Sequence, residues 1–219
     1  MKTGENIVRE YQVTSDDQII QVENKQSKLY VGIKYVLDVI FASIGLIVLA
    51  PVILIFSLLI VLESPGSPFY LQERLGLHGK RFKVIKLRSM RNDAEKNGAK
   101  WAEKNDPRIT KIGLFIRKTR IDELPQLFNI LKGEMSLVGP RPERPMFTEK
   151  FEHEIPGFKK RLEVKPGLTG WAQVNGGYEI TPKEKLNLDV YYINYASIIL
   201  DFKIIIKTVK VVITGDGAR

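Results

Sequence analysis

The sequence predicts a helix-rich α/β (α+β) protein: a membrane-embedded helix broken at a proline, then a soluble domain with a short β-hairpin and interfacial amphipathic helices. Three observations predict it. An uncharged apolar run extends from Val39 to Leu62, two strand-like stretches flank a glycine-bearing turn at Gly76–Gly79, and the stretch from Ile198 to Ile213 repeats lysine at helical spacing on an Ile/Val-rich background. At 219 residues the chain can hold one ordinary domain and a membrane segment, but hardly two independent cores. The expected division is a polar mobile tail over 1–30, a helix-break-helix over 31–62 and one further domain over 63–219.

The tail, through Gln26, is polar and mixed in charge, with no cleavable signal peptide expected at Met1. The apolar run that follows is 24 residues long, enough to span a bilayer. Pro51 lies near its centre and removes a backbone donor, at a cost of roughly 3 kcal/mol in a helix interior. Each half is then about 17 Å long and reaches only to the bilayer midplane. Lys25, Lys28 and Lys34 precede the run, while Arg74, Lys80, Arg81, Lys83, Lys86, Arg88 and Arg91 follow it. Basic residues mark the cytoplasmic side, and both flanks carry them. A re-entrant helix hinged at Ala50 and Pro51 keeps both flanks inside; the alternative, a kinked single span, exports one. Asp38 is placed to pair with Lys34 one helical turn away.

Glu63-Ser-Pro-Gly-Ser-Pro68 is turn-rich and marks the exit from the membrane. Phe69–Gln72 and Phe82–Lys86 read as the strands of a hairpin. The charged stretch from Asn92 to Asn105, with Trp101, reads as a solvated helix and loop. Ile112 to Leu131 has helical periodicity interrupted at Pro125. Thr181 followed by Glu184 matches a capping box and opens another helix at Pro182. In the last stretch, Lys203, Lys207 and Lys210 form one basic stripe on an apolar helix, which suits a membrane interface, although its β-branched residues also fit a core strand.

Charge and residue usage narrow the chemistry. The net charge of +9 calls for an anionic partner. With no cysteine and only His78 and His153, there is no disulfide framework, no thiolate nucleophile and no basis for a histidine-rich metal site. A metal would be held by carboxylates and phosphate oxygens, which favours Mg²⁺. Four islands are dense in residues that handle phosphate: Lys86-Leu-Arg88-Ser-Met-Arg91, Arg117 through Gln126, Gly139-Pro-Arg141-Pro-Glu-Arg144-Pro145, and Lys165-Pro-Gly-Leu-Thr-Gly170. An adjacent Asp122-Glu123 pair is ordinarily a solvated helix face. Beside Arg117 and Arg120 its ionised form is favoured, and it can then attack phosphorus or bind Mg²⁺. The prolines of the third island fix φ and present Arg141 on a rigid turn, though arginines solvated beyond a proline-ended helix are the blander reading. Pro166-Gly167 and Gly170 read as turn residues. Neither a P-loop nor a GxGxxG loop is present, which leaves ATPase and dinucleotide readings without support.

These islands, taken in order with Gln72-Glu-Arg-Leu-Gly76, Phe82-Lys-Val-Ile-Lys-Leu-Arg-Ser-Met90, Asp106-Pro-Arg-Ile-Thr110, Asp122-Glu-Leu-Pro-Gln126, Leu131 through Pro142, Lys165 through Gly176 and Leu188-Asp-Val-Tyr-Tyr192, carry a resemblance. From about Lys34 to Gly215 the chain resembles the bacterial sugar transferases, small monotopic phosphoglycosyl transferases that start capsule, exopolysaccharide and glycan assembly. The resemblance implies a re-entrant helix and a catalytic domain over 63–219 resting on the cytoplasmic face of the bacterial cell membrane. It implies transfer of a sugar 1-phosphate from a UDP-sugar to undecaprenyl phosphate, with Mg²⁺ as cofactor. Asp122 is then the nucleophile, Glu123 with Asp122 holds the metal, and Lys86, Arg88, Arg117, Arg141 and Arg144 bind substrate phosphates. Many members place Ser before the helix-breaking proline; this chain has Ala50. Membrane lipids are expected partners, a homo-oligomer is compatible with the sequence, and nucleic acid is not expected. The rival reading is a membrane-anchored scaffold that recruits anionic partners without catalysis.

Overall fold

A computed structural model describes residues 22, 26–94, 96, 106–176 and 180–214. The polar tail apart from Val22 and Gln26, the stretch containing Trp101, and Gly215 lie outside the described residues. The dominant element is α1 (Lys28–Glu63), a helix of 36 residues opened by Ser27, whose side chain accepts from the Tyr30 amide at 3.1 Å. Among the described residues it alone is long and apolar enough to cross a bilayer.

The expected interruption at Ala50 and Pro51 does not break this element: Pro51 sits inside a continuous helix. One missing donor is a local cost, and packing on both sides of the proline offsets it. Ala42 and Leu46 pack with Phe82, Leu127, Ile130 and Met135, while Ile53, Phe56 and Ile60 pack with Leu87 and Ile116. Lys34 and Asp38 also part from expectation. Lys34 Nζ donates to Asp201 Oδ2 at 2.8 Å, and Asp38 accepts from the Leu137 amide at 3.0 Å. Both side chains find tertiary partners rather than each other.

Strands β1 (Phe69–Leu75) and β2 (Arg81–Leu87) form the expected antiparallel hairpin, in register from Phe69–Leu87 to Leu75–Arg81. His78 and Gly79, with φ of 54° and 75°, reverse the chain between them. Helix α2 (Lys111–Lys118) follows, capped by Thr110, whose hydroxyl accepts from the Gly113 amide at 2.9 Å. The helical stretch then breaks earlier than Pro125 suggests, because Arg120 turns left-handed at φ 60°. Pro125 instead lies within a 3₁₀ turn (Ile121–Gln126) that leads into α3 (Leu127–Leu131).

The second sheet is a finding the sequence reading lacks. β3 (Ser136–Val138) pairs in parallel with β4 (Gly167–Thr169), which begins at Gly167, one of the residues expected in a turn. A Cβ on Gly167 would lie 2.0 Å from the Gly139 amide nitrogen, so the close approach of the two segments requires glycine. Between the strands lies α4 (Pro145–Glu154). Pro145 opens this helix rather than ending one, with its missing donor at a position where none is needed.

After α5 (Trp171–Asn175), Thr181 and Glu184 form the anticipated capping box at the head of α6 (Pro182–Tyr195). The last element is helical, α7 (Ile198–Thr214), which rules out the strand alternative. Its basic stripe is incomplete. Lys207 turns inward, donating to Asn175 Oδ1 at 2.5 Å and standing 4.8 Å from the Trp171 ring centroid, whereas Lys203 and Lys210 are exposed beside Ile199, Phe202, Ile206 and Val209.

Candidate active site

The site begins where Arg120 reverses the chain and starts the 3₁₀ turn. Successive residues on such a turn diverge by about 120°. Asp122 and Glu123 therefore meet different neighbours.

Glu123 is enclosed by cations. Lys86 Nζ, from β2, donates to its Oε1 at 2.9 Å. Arg141 donates to the same oxygen, and its Nη1 reaches Oε2 at 3.4 Å. Arg120 Nη1 stands 3.8 Å from Oε2. Burial alone would raise this carboxyl, but Arg141 first, then Lys86 and Arg120, hold it well below the usual carboxylate range. Lys86 is itself pulled down by burial, with Arg141 adding to the effect and Glu123 opposing it.

Asp122 is the opposite case. Among the described residues its carboxylate has no hydrogen bond and no ion pair. Burial, and then the Glu123 charge, push it up to about 6 against the pull of Lys86, Arg117 and Arg141. It remains 8% exposed, so a reacting group can reach it without unfolding the turn. Arg117, in the last turn of α2, anchors its Nε on Ser89 Oγ at 2.8 Å, and among the described residues its two terminal nitrogens have no partner. Two carboxylates among four cations leave this turn with an excess of positive charge, the condition for admitting a diphosphate.

The loop that carries Arg141 is gripped from behind. Arg161 Nη2 donates to the Arg141 carbonyl at 2.9 Å, Arg74 Nη1 to the Pro142 carbonyl at 3.1 Å, and the Leu75 amide to the Glu143 carbonyl at 3.0 Å. Beneath the loop, Glu143 accepts from Lys185 and lies 3.5 Å from Arg74 and 3.8 Å from Arg161. Arg161 Nη2 in turn stands 2.6 Å from Asp189 Oδ2, an ion pair. Burial would raise Glu143, yet Lys185, Arg161 and Arg74 hold it down to about 2.

The structure thus gathers Lys86, Arg117 and Arg141 around Asp122 and Glu123. It does not bring Arg88 there. That guanidinium is buried at the exit of α1, donating to the Pro65 carbonyl at 3.0 Å and to Ser64 and Asn92. Arg144 caps α4, its carbonyl accepting from the Phe147 and Thr148 amides, each at 3.0 Å. The sequence assigns no individual role to Glu143, Arg161, Lys185 or Asp189. Only Glu143 carried a local signal, as the one carboxylate between two arginines. A recess of about 600 Å³ lies between the hairpin turn and α4, lined by His78, Arg81, Met146, Lys159 and others; the dyad is not among its lining residues.

The donor set bears on a metal. Among the described residues no three His, Asp or Glu side chains converge as an all-protein cage. A bare, buried Asp122 carboxylate beside Glu123 fits instead a Mg²⁺ held by one or two carboxylates and completed by substrate phosphates.

A family model described as "Bacterial sugar transferase" matches residues 29–215. The chain is 59% identical over 157 residues to a protein of Bacillus subtilis (strain 168) provisionally named an undecaprenyl-phosphate N-acetylgalactosaminyl 1-phosphate transferase, covering 72% of this chain and 87% of that one. It is 45% identical over 196 residues to the UDP-N-acetylgalactosamine-undecaprenyl-phosphate N-acetylgalactosaminephosphotransferase of Aeromonas hydrophila, covering 88% of this chain and 46% of that one. It is 41% identical over 177 residues to the UDP-glucose:undecaprenyl-phosphate glucose-1-phosphate transferase of Escherichia coli (strain K12), covering 78% and 38%. The chain therefore spans less than half the length of the latter two proteins.

Proposed function

The chain belongs to the bacterial sugar transferase family, and we propose that it moves a sugar 1-phosphate from a UDP-sugar to undecaprenyl phosphate through a phosphosugar carried on Asp122. One observation above all supports this reading. Among the described residues, one of two adjacent buried carboxylates is saturated by cations, and the other is bare, partly open and flanked by an arginine with a free fork.

The first step forms a bond from an Asp122 carboxylate oxygen to the sugar-bearing phosphorus and breaks the bond from that phosphorus to UMP. In the second, an oxygen of undecaprenyl phosphate attacks the same phosphorus, the aspartyl bond breaks, and the lipid diphosphosugar leaves with the carboxylate restored. Both leaving groups are oxyanions of phosphate or carboxylate, so neither step needs a general acid. Lys86, Arg117 and Arg141 bind the phosphate oxygens and offset the charge that would repel an incoming carboxylate. When bound, Mg²⁺ is held by Glu123 and Asp122 with the substrate's phosphates and supplies further neutralisation of the diphosphate. Glu123 in turn keeps the cations in place before substrate arrives. One diphosphate linkage replaces another, so positioning and charge lower a barrier rather than shift an equilibrium.

The reading extends to topology. The helix α1 meets the rest of the fold from one end to the other: Tyr30 and Lys34 on Asp201, Leu46 and Ile53 packed beside the turn that carries Asp122, and Glu63 on the first amides of α2. A perpendicular span of about 54 Å would drag these polar contacts through the bilayer. A monotopic arrangement at the cytoplasmic face, with α1 bent at Pro51 so that it enters and leaves one leaflet from the same side and residues 63–219 as the catalytic domain, leaves them in place. Exposed Ile199, Phe202 and Ile206 beside Lys203 and Lys210 supply an interfacial face on α7.

Detergent-solubilised protein given Mg²⁺, undecaprenyl phosphate and a panel of UDP-sugars, UDP-N-acetylgalactosamine first, is expected to release UMP. Asp122→Asn should end release while membrane association persists; full activity in that variant removes Asp122 from the role. Cysteines at positions 28 and 66 are expected to react with an impermeant reagent from the same side, and labelling from opposite sides would contradict the monotopic arrangement.

A further inference from the structure

Glu63, the last residue of α1, is exposed and has a task that the transfer reaction as derived above does not assign. Its Oε1 accepts from the Lys111 amide at 2.8 Å and its Oε2 from the Ile112 amide at 3.0 Å. These are the first two amides of α2, and Thr110 takes the third. Three of the donors a helix leaves without partners at its start are thereby satisfied, two of them by a carboxylate at the positive end of the helix dipole. Six residues on, the same short helix delivers Arg117.

The surroundings make this junction stiff. Arg88 ties the next two residues of the α1 exit, Ser64 and Pro65, to the end of β2. Ser89, beside it, accepts from the Thr110 amide at 3.2 Å through its carbonyl and from Arg117 through its hydroxyl. A Cβ on Gly113 would lie 1.9 Å from the Ser89 carbonyl oxygen, so α2 rests directly on the β2 exit. The end of the membrane helix, the strand that carries Lys86 and the helix that carries Arg117 all meet here.

We propose that Glu63 is a positioning residue: by fastening the end of α1 to the start of α2, it fixes Arg117 beside Asp122 and makes the competence of the site depend on how α1 is seated. This rests on Asp122 being the reacting group. Arg117 is one of the cations beside the Asp122 carboxylate, so loosening α2 has a kinetic signature.

The test uses the full chain in detergent with UDP-sugar, Mg²⁺ and undecaprenyl phosphate, and four variants: Glu63→Ala, Glu63→Gln, Arg117→Ala and the Glu63→Ala/Arg117→Ala pair. Glu63→Ala is expected to lower kcat about tenfold with little change in KM for the UDP-sugar, since misplaced charge costs rate more than binding. Glu63→Gln, which keeps one acceptor, should recover part of the rate, and Glu63→Ala should cost nothing more in the Arg117→Ala background. Hydrogen exchange at the Lys111 and Ile112 amides should quicken in Glu63→Ala whatever the chemistry. An undiminished tenfold loss in the Arg117→Ala background, or a loss carried by KM rather than kcat, overturns the inference. A wild-type protein that releases no UMP would instead count against the proposed reaction, and the exchange measurement keeps the two failures apart.

Discussion

Two buried charge clusters face each other across the loop that carries Arg141, and they use nearly the same residue types. Behind the loop, Glu143 and Asp189 sit among Arg74, Arg161 and Lys185; in front, Asp122 and Glu123 sit among Lys86, Arg117, Arg120 and Arg141. In the rear cluster each carboxylate has a cation against it and Glu143 is held down to about 2. In the front cluster the cations converge on Glu123, while Asp122 is pushed up to about 6. Matched buried charges build a scaffold. A buried carboxylate left out of the matching is a stored cost, and such costs collect where chemistry is done.

The largest effects should fall on the unmatched carboxylate. Asp122→Asn is expected to lower kcat by about a thousandfold or more while stabilising the fold. The sign follows from the raised carboxyl: below the unfolded pKa both states are protonated and nothing is lost, whereas above about 6 the folded state must carry an unpaired buried charge. The variant should therefore exceed the parent by about 2 kcal/mol in denaturant titrations at alkaline pH, with the gap closing as the pH falls through the carboxylate range. A variant that is both inactive and less stable would break the comparison.

Glu143→Gln should behave in the reverse sense. It strands Lys185 in the interior, takes a counter-charge from Arg161 and Arg74, and should cost about 3–5 kcal/mol at neutral pH. Because this carboxyl is depressed, its contribution is present above the ordinary carboxylate range and fades as pH falls toward about 2. Arg141→Lys should spare stability but lower kcat/KM about tenfold to a hundredfold in UMP release, since an ammonium cannot replace the fork that spans Glu123 and a phosphate. The smallest effect is a profile: kcat/KM should rise with pH through an acid limb near 6 in the free enzyme.

Legibility in the sequence followed the range of the interaction. The hairpin, the capping box at Thr181 and the apolar run are local signals and were legible as such. The dyad was legible from its arginine neighbours. Which of its members is saturated was not, because Lys86 and Arg141 reach Glu123 across 37 and 18 residues. Arg88 shares an island with Lys86 yet lies one residue past the end of β2, where the chain turns toward the exit of α1, so sequence proximity does not place it beside the dyad. The β3–β4 pair is not legible because its strands are three residues each, too short for a pattern of period two.

The central claim is that the bare carboxylate forms a bond to phosphorus. Intact-mass analysis of protein mixed with UDP-sugar and Mg²⁺, and denatured before any lipid acceptor is added, tests it most directly. The account predicts an adduct of one phosphosugar that maps to Asp122, is absent from Asp122→Asn and is discharged by undecaprenyl phosphate. Full-rate UMP release on adding acceptor, with no adduct ever trapped or with the adduct on Glu123, would contradict it.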